Sequence, residues 1–268
     1  MQIPVNIVID GKNVMGILHV PQIYRNVEST PVIIMCYGLN GNRVEVHRMS
    51  VLLGRQAEKN GIYLLRFDYT GLGVSDGEFW ETSIQKKVKD ILSGIDFIRG
   101  CFHNENISLF LLGFSDGARI ALNVSNKIND VSGLCMWSPV LVPNSSYFRS
   151  RTKMKLFREP TSRSIVYKFF GLWMSTDYIR EINSNNNRNE IFDFRGPSLC
   201  IFGGRDQLVK ETKNKIISYN NLHNNPKIVV IPEAKHMFGR SEWTDKVIIE
   251  TINWVKNIST RDSNITEI

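Results

Sequence analysis

The sequence predicts an α/β fold on a mostly parallel sheet, flanked by helices, on two observations. Short apolar runs recur along the chain, and longer segments of helical period lie between them. The runs are Val32 to Tyr37, Ile62 to Phe67, Ile107 to Leu112, Val131 to Met136, Leu199 to Phe202 and Ile228 to Ile231. Strands covered on both faces are continuously apolar in this way, because neither face meets water. Among the helical segments, Val88, Ile91, Leu92, Ile95 and Ile98 form one stripe, with Thr82 or Ser83 placed to cap its start. Ile248, Ile252 and Val255 form another near the C-terminus. The first thirty residues differ: Val5 to Asp10 and Val14 to Val20 flank Gly11-Lys12-Asn13, which reads as an antiparallel hairpin at the sheet edge.

From about Leu141 to Phe194 the alternation stops. No clean strand is evident there, but aromatic residues are dense, among them Tyr147, Phe148, Phe157, Tyr167, Phe169, Trp173 and Tyr178. A stretch of this length between core strands is usually a lid or a binding insert. The Asn-rich run 183–189 reads as its exposed return loop. The expectation is one domain over residues 1–268, with 141–194 as a cap insertion.

Composition limits the class. The chain has 268 residues, 42% apolar and 22% charged, as ordinary globular proteins are. The N-terminus lacks the basic and apolar regions of a secretory signal. No apolar run approaches the roughly 18–20 residues of a membrane span. Cys36, Cys101, Cys135 and Cys200 are scattered, three of them in strand-like runs, which suits reduced thiols and a cytoplasmic protein. A net charge of +7 raises the question of nucleic acid, but no zinc-finger, RNP-type or basic-helix motif supports it. Arg149, Arg151, Lys153, Lys155, Arg158, Arg163 and Lys168 crowd one stretch against Glu159 alone. The plain reading is a solvated face; the sharper one is a handle for an anionic partner near the active site.

The chemistry-bearing motif is Gly113-Phe114-Ser115-Asp116-Gly117. It fits G-x-S-x-G, follows the apolar run Leu109 to Leu112 and precedes a helix-compatible segment, Ala118 to Lys127. A serine on such a strand-to-helix turn projects its hydroxyl above the sheet. It needs a base, and the base needs an orienting acid, in the chain order Ser, Asp or Glu, His. Leu199 to Phe202 ends at Gly203-Gly204-Arg205-Asp206, and Ile228 to Ile231 is followed by Pro232-Glu233-Ala234-Lys235-His236. Three strand ends thus supply Ser115, Asp206 and His236 in that order. An oxyanion hole would take backbone N–H groups from Asp116 and from the glycine-bearing loop Gly38-Leu39-Asn40-Gly41, with Leu39 as second donor.

With these residues the chain resembles the α/β-hydrolase superfamily, and within it the serine aminopeptidase-like and cinnamoyl (feruloyl) esterase-like group of small bacterial enzymes. The similarity is greatest from Gly38 to Phe79, with Gly41-Asn42-Arg43 and Arg66-Phe67-Asp68-Tyr69-Thr70-Gly71-Leu72-Gly73-Val74-Ser75-Asp76-Gly77, and in G-x-x-D-x-x-V from Gly203 to Val209. It covers essentially the whole chain, the insert in position more than in sequence. The resemblance implies an α/β-hydrolase fold and ester hydrolysis through an acyl-enzyme, with no metal or organic cofactor. Two departures stand out: Tyr37-Gly38 replaces the group's usual His-Gly, and Asp116 stands where Gln or Met is common. Asp116 is expected to face away from the hole and favour the helix N-terminus; the alternative is a pair with a cation on the substrate or lid.

The expected function is therefore a serine hydrolase for a small-molecule ester. The alternatives are a thioesterase or acyltransferase for acyl groups on a carrier protein or coenzyme A, and a non-catalytic binding protein of the same fold. Asp68 and Asp76 read as turn residues, His19 as structural, and His47, His103 and His223 as surface or loop residues.

Overall fold

A computed structural model describes residues 1–22, 29–103, 106–141, 155–169, 171–184, 194–223 and 225–262. Eleven strands are present among these residues: β1 (Gln2–Ile9), β2 (Lys12–His19), β3 (Thr30–Cys36), β4 (Tyr63–Phe67), β5 (Ile107–Phe114), β6 (Val131–Trp137), β7 (Leu156–Arg158), β8 (Ile165–Phe169), β9 (Leu172–Ser175), β10 (Ser198–Gly203) and β11 (Lys227–Ile231). The α-helices are α1 (Met49–Lys59), α2 (Ile84–Cys101), α3 (Gly117–Ser125), α4 (Thr176–Ser184), α5 (Lys210–His223) and α6 (Ser241–Asp262).

The main sheet has the order β1-β2-β4-β3-β5-β6-β10-β11. From β4 to β11 every neighbouring pair is parallel, and only the β1–β2–β4 edge is antiparallel. β5 and β10 are apolar and almost wholly buried because helices cover both faces, α1 packing with α6 and α2 with α3. Phe110 on β5 meets Trp254 on α6 edge to face, at 5.7 Å between ring centres. The Trp137 indole donates to Thr251 Oγ1 at 3.0 Å, so burial of the ring leaves no orphaned N–H. Helix α2 starts where the sequence placed a cap: Ser83 Oγ accepts from Lys86 N.

Two expectations need correction. The hairpin turn is Asp10-Gly11, not Gly11-Lys12-Asn13: β2 already begins at Lys12, and Ile9 pairs with Lys12. Both turn residues have positive φ (50° and 77°), the geometry whose twist matches two strands joined by two residues. The insert also contains strands. β7, β8 and β9 form a separate antiparallel sheet, followed by α4. These strands have three to five residues and a mixed face, Val166 and Phe169 buried beside exposed Ile165 and Lys168, so no apolar run announces them. On α4, Tyr178 and Ile182 are buried one turn apart, and Asn183 belongs to this helix rather than to a return loop. Asn185 to Asn189, Tyr147, Phe148, Arg149, Arg151 and Lys153 lie outside the described residues.

Candidate active site

The parallel register sets the site. Cys36 on β3 lies opposite Gly113 on β5, Phe114 opposite Trp137 on β6, Trp137 opposite Ile201 on β10, and Gly203 opposite Ile231 on β11. These strands therefore end along one edge, and the loops that follow them meet there, where open α/β sheets bind ligands.

Ser115 comes directly after β5 with φ 56°, a left-handed conformation that costs a non-glycine residue on the order of 1–2 kcal/mol. Its surroundings over-determine that turn. Ser115 N donates to Trp137 O at 2.9 Å, and Ser115 O accepts from Val140 N at 3.0 Å and Ala118 N at 3.2 Å. The flanking glycines are needed for space: a Cβ on Gly113 would lie 2.4 Å from Ala118 Cα, and one on Gly117 would lie 2.1 Å from Cys36 O. Strand, turn and helix are packed backbone against backbone.

Asp206 and His236 come from the neighbouring loops, which are tied together by Gly204 N to Ile231 O at 2.8 Å and Arg205 N to Ala234 O at 2.9 Å. His236 Nδ1 is 2.7 Å from Asp206 Oδ2, and His236 Nε2 is 2.9 Å from Ser115 Oγ. The buried carboxylate only accepts, so the imidazole proton sits on Nδ1 and leaves Nε2 as acceptor for the serine hydroxyl. Asp206 Oδ1 also accepts from Leu208 N at 3.0 Å, which fixes the carboxylate. Phe114 stacks on the imidazole at 5.6 Å between ring centres. The structure thus joins the three sequence-predicted residues in one hydrogen-bonded chain.

That chain opens on a cavity of about 570 Å³, within the usual range for small-molecule sites. Leu39, Phe114, Val140, Phe169, Leu208 and Met237 give it an apolar wall, and Phe169 comes from the insert. Gly38, Leu39 and Asp116 line it beside Ser115, and Gly38 approaches so closely that a Cβ there would be 3.6 Å from Ser115 Cβ.

Asp116 stands at the N-terminus of α3, and its side chain has partners that the sequence did not name. It makes no cap bond to the α3 N-terminus. Its carboxylate is buried, with Oδ1 accepting from Arg119 Nε at 3.2 Å and Oδ2 from the Tyr178 hydroxyl at 2.9 Å. One partner is a cation on its own helix, and the other is a neutral hydroxyl from the insert. Burial beside that carboxylate pushes the Tyr178 phenol well above its ordinary pKa.

Lys87 and Glu45 were missed by the sequence reading. Lys87 is 1% exposed, and burial pulls its pKa down to about 8 against the opposing pull of Asp116, Asp90 and Glu45. Its signal was available: it stands three residues after Ile84 and four before Ile91, on the apolar stripe of α2. Glu45 lines the cavity, and burial pushes its carboxyl up to about 7. Its only sequence signal was its place in the loop after β3.

The other candidates are structural or lie apart. Asp68 is fully buried, accepting from Arg43 N at 2.7 Å and Val74 N at 2.9 Å and pairing with the Arg43 guanidinium. Asp76 accepts from Asn13 N at 2.8 Å, and so ties the loop to the hairpin. His19 is buried between Glu58 Oε1, at 2.6 Å from Nδ1, and the Arg66 Nε–H, which donates to Nε2 at 2.8 Å, so both ring nitrogens have structural partners. His47 and His103 are exposed, and the His223 side chain lies outside the described residues. The four cysteines are free; Cys36, Cys135 and Cys200 are buried. Of the basic cluster, Lys168 packs over Phe157 at 4.8 Å and Trp173 at 5.3 Å, a local cation–π role. Among the described residues no helix is long and apolar enough to cross a membrane.

Comparison with solved structures agrees with this architecture. Est1E from Butyrivibrio proteoclasticus with ferulic acid bound superposes with a TM-score of 0.74 at 21% identity, over 94% of this chain and 99% of that one. An esterase from Pyrococcus furiosus gives 0.69 at 18% identity, over 97% and 91%. The α/β hydrolase GrgF from Penicillium sp. gives 0.71 at 14% identity, over 97% and 99%. At such identities the likeness establishes the α/β-hydrolase fold. No curated protein sequence matches the chain significantly. The profile described as "Serine aminopeptidase, S33" matches residues 30–188, more than half of the chain. The chain therefore belongs to the serine aminopeptidase S33 family of α/β hydrolases.

Proposed function

We propose that this protein hydrolyses a carboxylic ester through an acyl-enzyme on Ser115. The observation that carries the reading is the Asp206–His236–Ser115 chain, with steps of 2.7 and 2.9 Å, opening on an apolar cavity. Ser115 Oγ attacks the ester carbonyl carbon while His236 Nε2 takes the hydroxyl proton, and Asp206 holds the imidazole tautomer and stabilises the imidazolium. Leu39 N–H and Asp116 N–H receive the oxyanion. The tetrahedral intermediate collapses with cleavage of the C–O bond, and His236 returns the proton to the departing alcohol. Water, deprotonated by the same imidazole, then releases the acid and restores Ser115.

The insert acts as a cap. It contributes Phe169 to the cavity wall against which an acyl or aryl group would pack, and its Tyr178 hydroxyl holds the Asp116 carboxylate. The ferulic acid in Est1E favours an aryl or other compact apolar acyl group in this cavity as well. The reading is tested by a panel of p-nitrophenyl esters of varied acyl length, together with aryl esters and acyl-CoA. Turnover of short or aryl esters that Ser115→Ala abolishes supports it. Exclusive turnover of acyl-CoA would move the assignment to a thioesterase, and no turnover with unaltered binding would make the protein a binding module.

A further inference from the structure

The three residues above do not account for Lys87, a buried cation beneath the loop that carries Leu39. Its Nζ donates to Leu39 O at 2.7 Å and to Gly38 O at 3.2 Å. The rings of Tyr69 and Tyr178 lie 5.0 and 5.2 Å from the same nitrogen. In a trans peptide the C=O and the N–H point in opposite directions. A grip on Gly38 O therefore turns the Leu39 N–H away from Lys87. The preceding peptides are held too: Tyr37 N donates to Tyr69 Oη at 3.0 Å, and Gly38 N to Glu45 Oε1 at 3.5 Å. A buried ammonium is expensive, and an apolar side chain would satisfy the stripe of α2 at less cost.

We propose that Lys87 is a positioning residue for hydrolysis: its bonds to Gly38 O and Leu39 O fix the oxyanion loop with Leu39 N–H turned toward the acyl oxygen, and its charge favours the anion formed there. This rests on the ester-hydrolase reading. The ammonium is the competent form, because charge-assisted bonds are roughly twice as strong as those of a neutral amine. The groups facing it are Asp90 on its own helix, Tyr69 after β4, Glu45 after β3, Asp116 with its partner Arg119 on α3, and Tyr178 on α4. Burial pushes Asp90 up to about 6 and Glu45 up to about 7, and lowers Lys87 to about 8. Burial drives the Tyr69 and Tyr178 phenols well above their ordinary range, so of these shifted groups Lys87 is the one that changes charge near pH 8. The contribution of Lys87 to activity should be fully present below about pH 8 and be lost as the pH rises through that value, giving a descending alkaline limb.

The test compares wild type with Lys87→Met on a p-nitrophenyl ester from pH 6 to 9.5, alongside melting temperature and fluorophosphonate labelling of Ser115. The expected result is a fall in kcat of about 10–100-fold with KM nearly unchanged, since misaiming one donor costs up to about 10²–10³-fold. The wild-type descending limb near pH 8 should vanish in the variant, while its melting temperature is not lowered in step with kcat. A labelled, active K87M with wild-type kcat overturns the proposal alone, and so does a folded K87M whose kcat falls only in step with its KM and melting temperature. If K87M does not fold, wild-type kcat that stays flat from pH 7 to 9.5 with the fold intact overturns it. A wild type that is neither labelled nor active overturns the hydrolase reading, and this inference with it.

Discussion

Tyr178→Phe isolates the link between insert and site. The substitution removes only the hydroxyl that donates to Asp116 Oδ2 at 2.9 Å; the ring stays over Lys87 and the buried volume barely changes. Asp116 then keeps Arg119 but loses its second partner, on a carboxylate that is buried. A hydrogen bond to a charged group contributes about 1.5–3 kcal/mol, and a buried acceptor left unsatisfied costs a similar amount. At about 2–4 °C per kcal/mol for a chain somewhat smaller than this one, the melting temperature should fall by roughly 3–12 °C. Calorimetry on Y178F, D116N and the double variant at pH 7 measures it, with a coupling energy of at least about 0.5 kcal/mol expected between the two sites. A Y178F melting temperature within about 1 °C of wild type, together with strictly additive variants, would show that the bond does not join the insert to α3 and would refute the reasoning.

Two further changes probe the catalytic framework. Asp206→Asn keeps the shape but presents an amide that favours the wrong imidazole tautomer, so kcat should fall by about 10³–10⁴-fold with KM and fold retained; steady-state kinetics beside circular dichroism checks this, and a loss under tenfold contradicts the assigned role. Gly117→Ala places a methyl 2.1 Å from Cys36 O and 2.6 Å from Tyr37 O, backbone atoms that cannot step aside cheaply. It should cost about 1–3 kcal/mol in a urea titration and lower activity as the loop after β3 is displaced; an unshifted midpoint would show that the close approach carries no strain.

What was legible in the sequence follows from what each residue type can do alone. β3, β5, β6 and β10 are buried on both faces, so their apolar runs were plain, and register then brings Ser115, Asp206 and His236 to one edge. Ser83 was readable as a cap because its side chain answers a local need at the start of α2. The insert strands were not readable, because in a five-residue strand Val166 and Phe169 are buried three positions apart, which breaks the period of two. Lys87, Arg119 and Tyr178 were hidden for a different reason. Each is a polar group buried on an otherwise apolar face, and only the fold reveals that their partners are Gly38 O, Leu39 O, Asp116 and one another's surroundings. The same is true of Asp116, whose place at the start of α3 was legible but whose partners Arg119 and Tyr178 were not.

The central claim, covalent catalysis by Ser115, is tested most directly by acid-quenched intact-protein mass spectrometry during turnover of a slowly deacylating ester. The account predicts a mass increase equal to the acyl group, mapped to the peptide bearing Ser115, that forms and decays at rates consistent with kcat and is absent in Ser115→Ala. Turnover without any adduct, an adduct on another residue, or an S115A protein that hydrolyses the ester at the wild-type rate would contradict it.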